Sequence, residues 1–533
     1  MSLAIQQISY IHPDNETLFR DIHLIVNKGE KVALLGPNGC GKSTLLQIIR
    51  KEILPTEGEI ISSSAPYYVP QHFGQYDTLS VAQALRIDRK LKALYAILAG
   101  DAAAEYFDQL DDDWSIEERS RAALSGWGLE HIAFDQPFAS LSGGEKTKVF
   151  LAGLQIHTPE IILMDEPSNH LDAQSRQKLY QFISSSPATI LVVSHDITLL
   201  NQLSFMVELG KEGITAYGGN YDFYKAQKQL QLEALQSSLE EKEKELRLAK
   251  KIARETAERK QKHEVRGKKQ KEKSGVGKMA MDTLQDKAEK SASKLKDVHE
   301  EKNGQLQKGI EELRKALPDN RAMKVDFNAS ALHTGKILIK AEAIQFGYSE
   351  IPLFINPLSF TIRSGDRWVI KGNNGSGKTT LIKLITGQLS PTGGEIERAD
   401  FTYLYIDQEY SLVRNELTVY EQAEQYNSRH FAEHEVKMLL SRYLFPYGSW
   451  DKPCAKLSGG EKMRLAFCCL MIGNQKPDMI ILDEPTNNLD VQSIEVITAV
   501  IKEYKGTVVA VSHDGWFVGE IGVREVLELI KNS

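Results

Sequence analysis

The sequence predicts an α/β protein in which two homologous domains are joined by a long antiparallel helical hairpin. Three observations predict it. Glycine-rich segments, GPNGCGKST at Gly36 to Thr44 and GNNGSGKTT at Gly372 to Thr380, each sit between an apolar run and an amphipathic run, as in a strand–turn–helix unit. Further motifs recur after each segment in the same order. Between the copies the composition changes to a charged stretch with helical apolar spacing.

The two glycine-rich segments are offset by 336 residues, Gly36 to Gly372. LSGGE recurs from Leu141 to Leu457, offset 316, while the acidic pair Asp165–Glu166 and His195 recur at Asp483–Glu484 and His513, offset 318. The change in offset locates a length difference. Gln71 to Leu141 spans 70 residues and Gln408 to Leu457 spans 49, so the first copy carries about 21 more, placed near residues 90–114. They read as a surface insertion. The domains are expected at 1–223 and 335–533, with a linker over 224–334.

In the linker, Leu232, Leu235, Leu239, Leu246 and Ile252 fall near helical spacing. Leu284, Ala288, Ala292 and Leu295, then Leu306, Ile310, Leu313 and Leu317, do so again. Gly267, Ser274, Gly275 and Gly277 interrupt the pattern and mark a tip. A helix of about 40 residues would be on the order of 60 Å long.

At 533 residues the chain holds two or three domains. With 41% hydrophobic and 26% charged residues it is neither disordered nor fibrous. The longest apolar run, Leu465 to Ile472, is eight residues, against roughly 20 for a membrane span. No membrane contact is expected, and MSLAIQQISY lacks the pattern of a signal peptide. Cys40, Cys454, Cys468 and Cys469 show neither metal-ligand spacing nor a disulfide framework, and Cys468 and Cys469 read as core. A cytoplasmic location fits.

The chemistry follows from residue types and order. Backbone N–H groups of a glycine-rich turn at a helix N-terminus wrap phosphates, and the helix dipole favours the anion. Gly36, Pro37, Asn38, Gly39, Cys40, Gly41, Lys42, Ser43 and Thr44 form one such turn. Gly372, Asn373, Asn374, Gly375, Ser376, Gly377, Lys378, Thr379 and Thr380 form the other. Lys42 and Lys378 place a point charge on the β- and γ-phosphates of ATP, and Ser43 and Thr379 offer a hydroxyl to Mg²⁺. EIILMDEP and DMIILDEP read as buried strands ending in paired carboxylates. Asp165 and Asp483 would hold Mg²⁺, and Glu166 and Glu484 would orient or deprotonate the attacking water. His195 and His513, after β-branched runs, would bond the γ-phosphate. Gln71 and Gln408 would complete the metal and water shell.

These residues resemble the ATP-binding-cassette superfamily, and LSGGE separates it from other phosphate-loop proteins. The resemblance implies that LSGGE of one domain binds the γ-phosphate of ATP held on the other. Site one would pair Lys42, Asp165, Glu166 and His195 with Ser458, Gly459, Gly460 and Glu461. Site two would pair Lys378, Asp483, Glu484 and His513 with Ser142, Gly143, Gly144 and Glu145. Both sites would hydrolyse ATP, and the two cassettes would form an intramolecular dimer in a monomeric chain. The family stacks adenine on an aromatic residue before the phosphate loop. Tyr348 fits, whereas the same offset lands on His12, a weaker stacking ring. Lys148 stands where the second signature helix has Arg464, keeping the charge without the planar fork.

The whole chain further resembles the ABC-F proteins, which fuse two cassettes through a helical linker without membrane domains. GGNYDFYKAQK at Gly218 to Lys228 and the pair DEPSNHLD/DEPTNNLD carry that likeness. It implies binding at the ribosomal tRNA exit site, with the linker reaching the peptidyl-tRNA and the peptidyl-transferase centre. The charge pattern agrees. Arg259, Lys260, Lys262, Arg266, Lys268, Lys269, Lys271, Lys273 and Lys278 face only Glu264 and Glu272 in 20 residues, net +7, so the other 513 residues sum to −14 of the total −7. A basic tip favours ribosomal RNA phosphates without base readout, and Val276, Met279 and Met281 lie beside it. No DNA partner is expected. The linker's length leans to protection of the ribosome from antibiotics. A general translation factor of the same family is the alternative, and a transporter's ATPase subunit is a more distant one.

Overall fold

The computed structural model describes residues 2–13, 15–101, 103–211, 213–271, 301–314, 332–348, 352–373, 375–408, 410–473, 477–487 and 489–530. Contacts divide the chain into two units, Met1–Asp222 with Ala322–Ser533, and Phe223–Arg321.

In the first unit each cassette is built from two sheets. β1 (Leu3–Ile11), β2 (Thr17–Val26) and β4 (Glu57–Ser62) form an antiparallel sheet in the order β2-β1-β4. The other sheet contains β3 (Lys31–Leu35), β5 (Tyr67–Val69), β6 (Ile161–Asp165), β7 (Thr189–Val193), β8 (Phe205–Gly210) and β9 (Gly213–Gly218). Its order is β5-β6-β7-β3-β8-β9, parallel except for the β8–β9 hairpin. β6 and β7 are buried at every position, because a parallel strand covered on both faces must be apolar throughout. Leu3, Ile8, Phe19, Leu34, Leu45, Ile48, Leu163 and Val193 form the core between the layers.

The second cassette repeats the plan. β10 (Ile337–Gln345), β11 (Leu358–Arg363) and β13 (Gly393–Arg398) give the order β11-β10-β13. β12 (Arg367–Gly372), β14 (Tyr403–Ile406), β15 (Met479–Asp483), β16 (Thr507–Val511) and β17 (Glu525–Leu529) give the parallel order β14-β15-β16-β12-β17. Cys468 and Cys469 are fully buried in the helix Gly459–Ile472. The extra residues of the first cassette fall on two helices, Asp88–Leu98 and Ala104–Leu110, which pack on each other and bury Leu91, Leu94 and Leu110. Lys90 and Arg119 both pair with Asp113 there, at 3.2 and 2.9 Å.

A helix of 51 residues, Tyr221–Lys271, runs into the second unit. Leu232, Leu235, Leu239 and Leu246 are half-buried along it, but Ile252 is 45% exposed and Ala249 and Ala253 take over the inward stripe. Six residues from Leu246 to Ile252 fall about 120° short of two full turns, which is why Ile252 leaves the face. Gly267 does not interrupt the helix, which continues to Lys271. One glycine costs about 1 kcal/mol relative to alanine, too little to stop a helix flanked by Lys, Gln and Glu. A second helix covers 301–314 with Leu306, Ile310 and Leu313 turned inward, and Arg314 pairs with Glu243 at 2.6 Å. Leu284, Ala288, Ala292, Leu295, Leu317, Ser274, Gly275, Gly277, Val276, Met279 and Met281 lie outside the described residues. No helix among the described residues is long and apolar enough to cross a membrane.

Candidate active site

The functional residues gather where strands β3, β6 and β7, and β12, β15 and β16, reach their C-terminal ends, the position where open α/β sheets present ligand sites. After β3 the chain turns through Gly36 to Gly41 and enters the helix Lys42–Ile49. Gly41 has φ 100°, and a Cβ there would stand 2.7 Å from Leu18 Cδ2, so only glycine opens this helix. Gly377 repeats it before the helix Lys378–Ile385, with φ 92° and Leu353 Cδ2 at 2.6 Å. Neither helix start has a side-chain cap. Their first N–H groups are therefore left to an anion. Lys42 Nζ donates to the carbonyls of Gly36 (2.8 Å) and Pro37 (3.1 Å). Lys378 Nζ donates to those of Gly372 (2.8 Å) and Asn373 (3.3 Å), and lies 3.1 Å from His513 Nε2.

Glu166 and Glu484 follow the last residues of β6 and β15 in left-handed backbone, φ 51° and 49°. Their N–H groups donate to the carbonyls of Val193 and Val511 at 2.9 and 2.8 Å. A non-glycine residue held in that region at the same place in both cassettes is strain kept at a working position. His195 Nε2 is 3.4 Å from Glu166 Oε1, and His513 Nε2 is 3.3 Å from Glu484 Oε1. Burial raises the Glu166 carboxyl, and the neighbouring Asp165 charge adds to it. Burial also pushes Glu484 up to about 7, opposed by the Arg176 and Lys378 charges. The imidazoles move the other way. Burial and Lys42 lower His195, and burial, with Lys378 and Arg176, takes His513 down to about 4. Neutral imidazoles can donate one ring N–H toward an anion and accept at the other nitrogen.

Asp165 and Asp483 are buried, and burial raises both carboxyls, with the Ser43 and Thr379 hydroxyls working against it. Thr379 Oγ1 donates to Asp483 Oδ2 at 3.1 Å. Asp165 Oδ1 is buried with no hydrogen-bond partner among the described residues. A hydroxyl, a carboxylate and an amide oxygen (Ser43, Asp165, Gln71; Thr379, Asp483, Gln408) form the hard oxygen set that suits Mg²⁺. The orphaned carboxylate oxygen fits that ion. Mg²⁺ in this position would neutralise phosphate charge.

Two clefts contain these groups, with cavity volumes of about 510 and 500 Å³. The first is lined by His12, Asn38, Gly39, Gly41, Lys42, Ser43, Thr44, Gln71, Asp165, Glu166 and His195, and also by Ser458, Thr486 and Asn487 of the second cassette. The second is lined by Tyr348, Gly375, Gly377, Lys378, Thr379, Thr380, Gln408, Asp483, Glu484 and His513, and also by Ser142, Gly143, Gly144 and His170 of the first. Gly36, Pro37 and Cys40, and Gly372, Asn373 and Ser376, form the turns without facing the clefts. Asn374 lies outside the described residues. Gly459 and Gly460 are not in the first cleft's wall.

Glu145 and Glu461 do not face the clefts either. Glu145 Oε2 accepts from Ser142 N (2.8 Å) and Glu461 Oε2 from Ser458 N (2.7 Å), closing capping boxes on the helices Gly143–His157 and Gly459–Ile472. An ionised carboxylate cannot donate to phosphate, so both act on the helix start rather than on a ligand. His12 stands edge-on to Tyr10, ring centroids 5.4 Å apart, whereas Tyr348 is 71% exposed with its hydroxyl 3.1 Å from Thr380 Oγ1. Lys148 pairs with Asp172 at 3.1 Å, and Arg464 donates to Ser493 Oγ at 3.2 Å.

Sequence reasoning missed several groups. Tyr68 and Tyr405 donate to Asp165 Oδ2 (3.3 Å) and Asp483 Oδ2 (3.1 Å), orienting both carboxylates. They stand three residues before Gln71 and Gln408 in both copies, a repeat that was available to find. Arg176 and Asn487 each line both clefts. At the offset of the acidic pairs Arg176 falls opposite Ile494, a contrast visible in the sequence alone.

The sequence profile of the ABC transporter family matches residues 19–169 and 355–487. The chain belongs to that family. It is 29% identical to ABC transporter F family member 2 of Arabidopsis thaliana, over 96% of this chain and 74% of that protein. It is also 29% identical to the Ribosome protection protein VmlR of Bacillus subtilis, over 97% of this chain and 84% of that one. The archaeal ribosome recycling factor aABCE1, solved in complex with the stalk protein aP1, shares the fold. Its TM-score is 0.60 at 19% identity, over 98% of this chain and 87% of that one. Within the family this is a tandem-cassette protein of the ABC-F type, with ATP-binding domains of the ATPase class.

Proposed function

We propose that this chain is a cytoplasmic, monomeric ATPase that binds two ATP molecules with Mg²⁺ between its cassettes and uses their closure to act on the ribosome. What carries the reading is the make-up of each cleft. One cassette supplies the phosphate turn, the acidic pair and the histidine, and the other supplies the signature serine. Glu166 and Glu484 orient and deprotonate water toward the γ-phosphate, and His195 and His513 hold that phosphate by a ring N–H. Ser142 and Ser458 meet it from across the cleft. Ser43, Gln71 and Asp165 hold one metal ion and Thr379, Gln408 and Asp483 the other. His12 and Tyr348 receive the adenines, the second more tightly. Hydrolysis removes the contacts that favour the closed state.

Cassettes at 1–223 and 335–533 then move a linker, 224–334, whose basic stretch meets ribosomal RNA and peptidyl-tRNA from the tRNA exit site. The charge of that stretch supports this, as does the full-length likeness to a protein named for ribosome protection. Arg259 and Lys262 are exposed on the helix. Lys260, Arg266, Lys268, Lys269 and Lys271 belong to its last turns, and Lys273 and Lys278 lie outside the described residues. The reading leans to displacement of antibiotics bound near the peptidyl-transferase centre.

The double variant Glu166→Gln, Glu484→Gln, which keeps ATP but not its turnover, should accumulate in the ribosome pellet when ATP is added. Its free partition into the supernatant would refute the ribosomal role. Raised tolerance of an expressing host to one class of peptidyl-transferase inhibitor supports protection, and unchanged tolerance to all of them excludes it.

A further inference from the structure

Between the two clefts lies a buried charge cluster outside the groups that hold phosphate, metal and water in the reading above. Arg176 is 7% exposed, Asp196 8% and Asp514 5%. Asp196 accepts from Leu199 N at 3.2 Å and caps the helix Ile197–Leu200 of the first cassette. Asp514 accepts from Phe517 N at 3.0 Å and caps the helix Gly515–Glu520 of the second. These two short helices pack on each other, so the seam brings two buried carboxylates together from opposite cassettes. Both line the first cleft.

Arg176 supplies the positive charge. Its NH1 is 3.9 Å from Asp196 Oδ2. Burial and the Asp196 charge raise the Asp514 carboxyl, and the Arg176 charge works against both. Tyr180 donates a hydrogen bond to Asp196. The Arg176 Nε donates to the Leu171 carbonyl at 3.2 Å. That bond ties the guanidinium to the segment after Glu166, whose Ser168 and Asn169 face the first cleft and whose His170 and Leu171 face the second. The second cassette has no counterpart, since Ile494 and Thr498 occupy the mirrored positions of Arg176 and Tyr180. One arginine therefore shares a cleft wall with carboxylates from both halves.

We propose that Arg176 is a positioning residue that clamps the cassette seam, holding Asp196 of its own cassette and Asp514 of the other so that the two clefts close together. Removing one partner of a buried charge group leaves the remaining charges uncompensated. Without Arg176, closure would bury two like charges face to face. When the cassettes part, Asp514 returns to water, so the penalty falls on the closed state. This rests on the ATP-driven closure proposed above.

The test uses the full chain in the Glu166→Gln, Glu484→Gln background, with one fluorescent label on each cassette and closure followed by energy transfer as ATP is titrated. Arg176→Ile, which copies the second cassette, should raise the ATP concentration for half-closure about tenfold or more. Arg176→Lys should fall between this and the parent. Asp514→Asn alone should shift it less than about threefold, yet in the Arg176→Ile protein it should restore most of the loss, because it removes the unpaired charge. A merely structural role would not give rescue from the opposite cassette. Arg176→Ile closing at the parent's ATP concentration, or additive effects of the two substitutions, would overturn the clamp. If Arg176→Ile does not fold, Arg176→Gln replaces it with the same outcomes. A parent that shows no ATP-driven change removes the closure reading itself and the clamp with it.

Discussion

Glu484 shows how a residue is tuned by its surroundings. Its carboxyl moves from the usual 4.5 up to about 7 on burial. A carboxyl raised on folding keeps its proton longer in the folded chain than in the unfolded one. Its contribution to stability is fully present below pH 4.5 and is lost as pH rises to about 7. Glu484→Gln carries no such loss. In nucleotide-free protein, Glu484→Gln should therefore gain stability over the parent by more at pH 8 than at pH 5, by a difference on the order of 3 kcal/mol. Equal gains by thermal unfolding at the two pH values would show that the carboxyl is not held up. The acidic pairs were legible in the sequence because each closes an apolar run long enough for a buried strand. The left-handed backbone of Glu166 and Glu484 was not, since it depends on bonds to Val193 and Val511, far along the chain. The contrast of Arg176 with Ile494 was legible, but its partners were not, because they come from three separate segments.

At the scale of elements, the signature helices separate binding from capping. The motif LSGGE was readable as a unit, but its members divide by the direction in which they point. Ser142 and Ser458 face the clefts, while Glu145 and Glu461 turn back to cap the helix start. Glu145→Ala should cost about 0.5–1 kcal/mol of stability and raise the KM for ATP modestly, with kcat nearly kept. A loss of turnover as complete as that of Glu484→Gln would place Glu145 on the nucleotide instead. The long helix Tyr221–Lys271 was legible from its Leu spacing as far as Leu246. Beyond that the stripe drifts from Ile252 to Ala249 and Ala253, because apolar residues were sparse enough for charge to dominate the pattern. Gly267 looked like a break and is not one, since a single weak residue is outvoted by its neighbours.

For the whole molecule, a tandem duplication makes two equivalent halves and lets each complete the other's cleft. The repeat and its offsets were visible in the sequence. Which half completes which cleft came only through likeness to a family, because no local pattern records a contact some 300 residues distant. The halves are also not equal. His12 stands against Tyr348, Lys148 against Arg464, and Arg176 against Ile494, so nucleotide affinity and closure should differ between the clefts.

Shared clefts are tested most directly by counting ATP trapped per chain in the Glu166→Gln, Glu484→Gln background. Lys42→Ala and Ser458→Arg alter the same cleft, whereas Lys42→Ala and Ser142→Arg alter different ones. The first pair should leave about one ATP per chain and the second none, since each closed cleft holds a single nucleotide. The reverse, with ATP retained by Lys42→Ala/Ser142→Arg and lost from Lys42→Ala/Ser458→Arg, would mean that each cassette binds ATP with its own signature helix and would contradict the shared clefts.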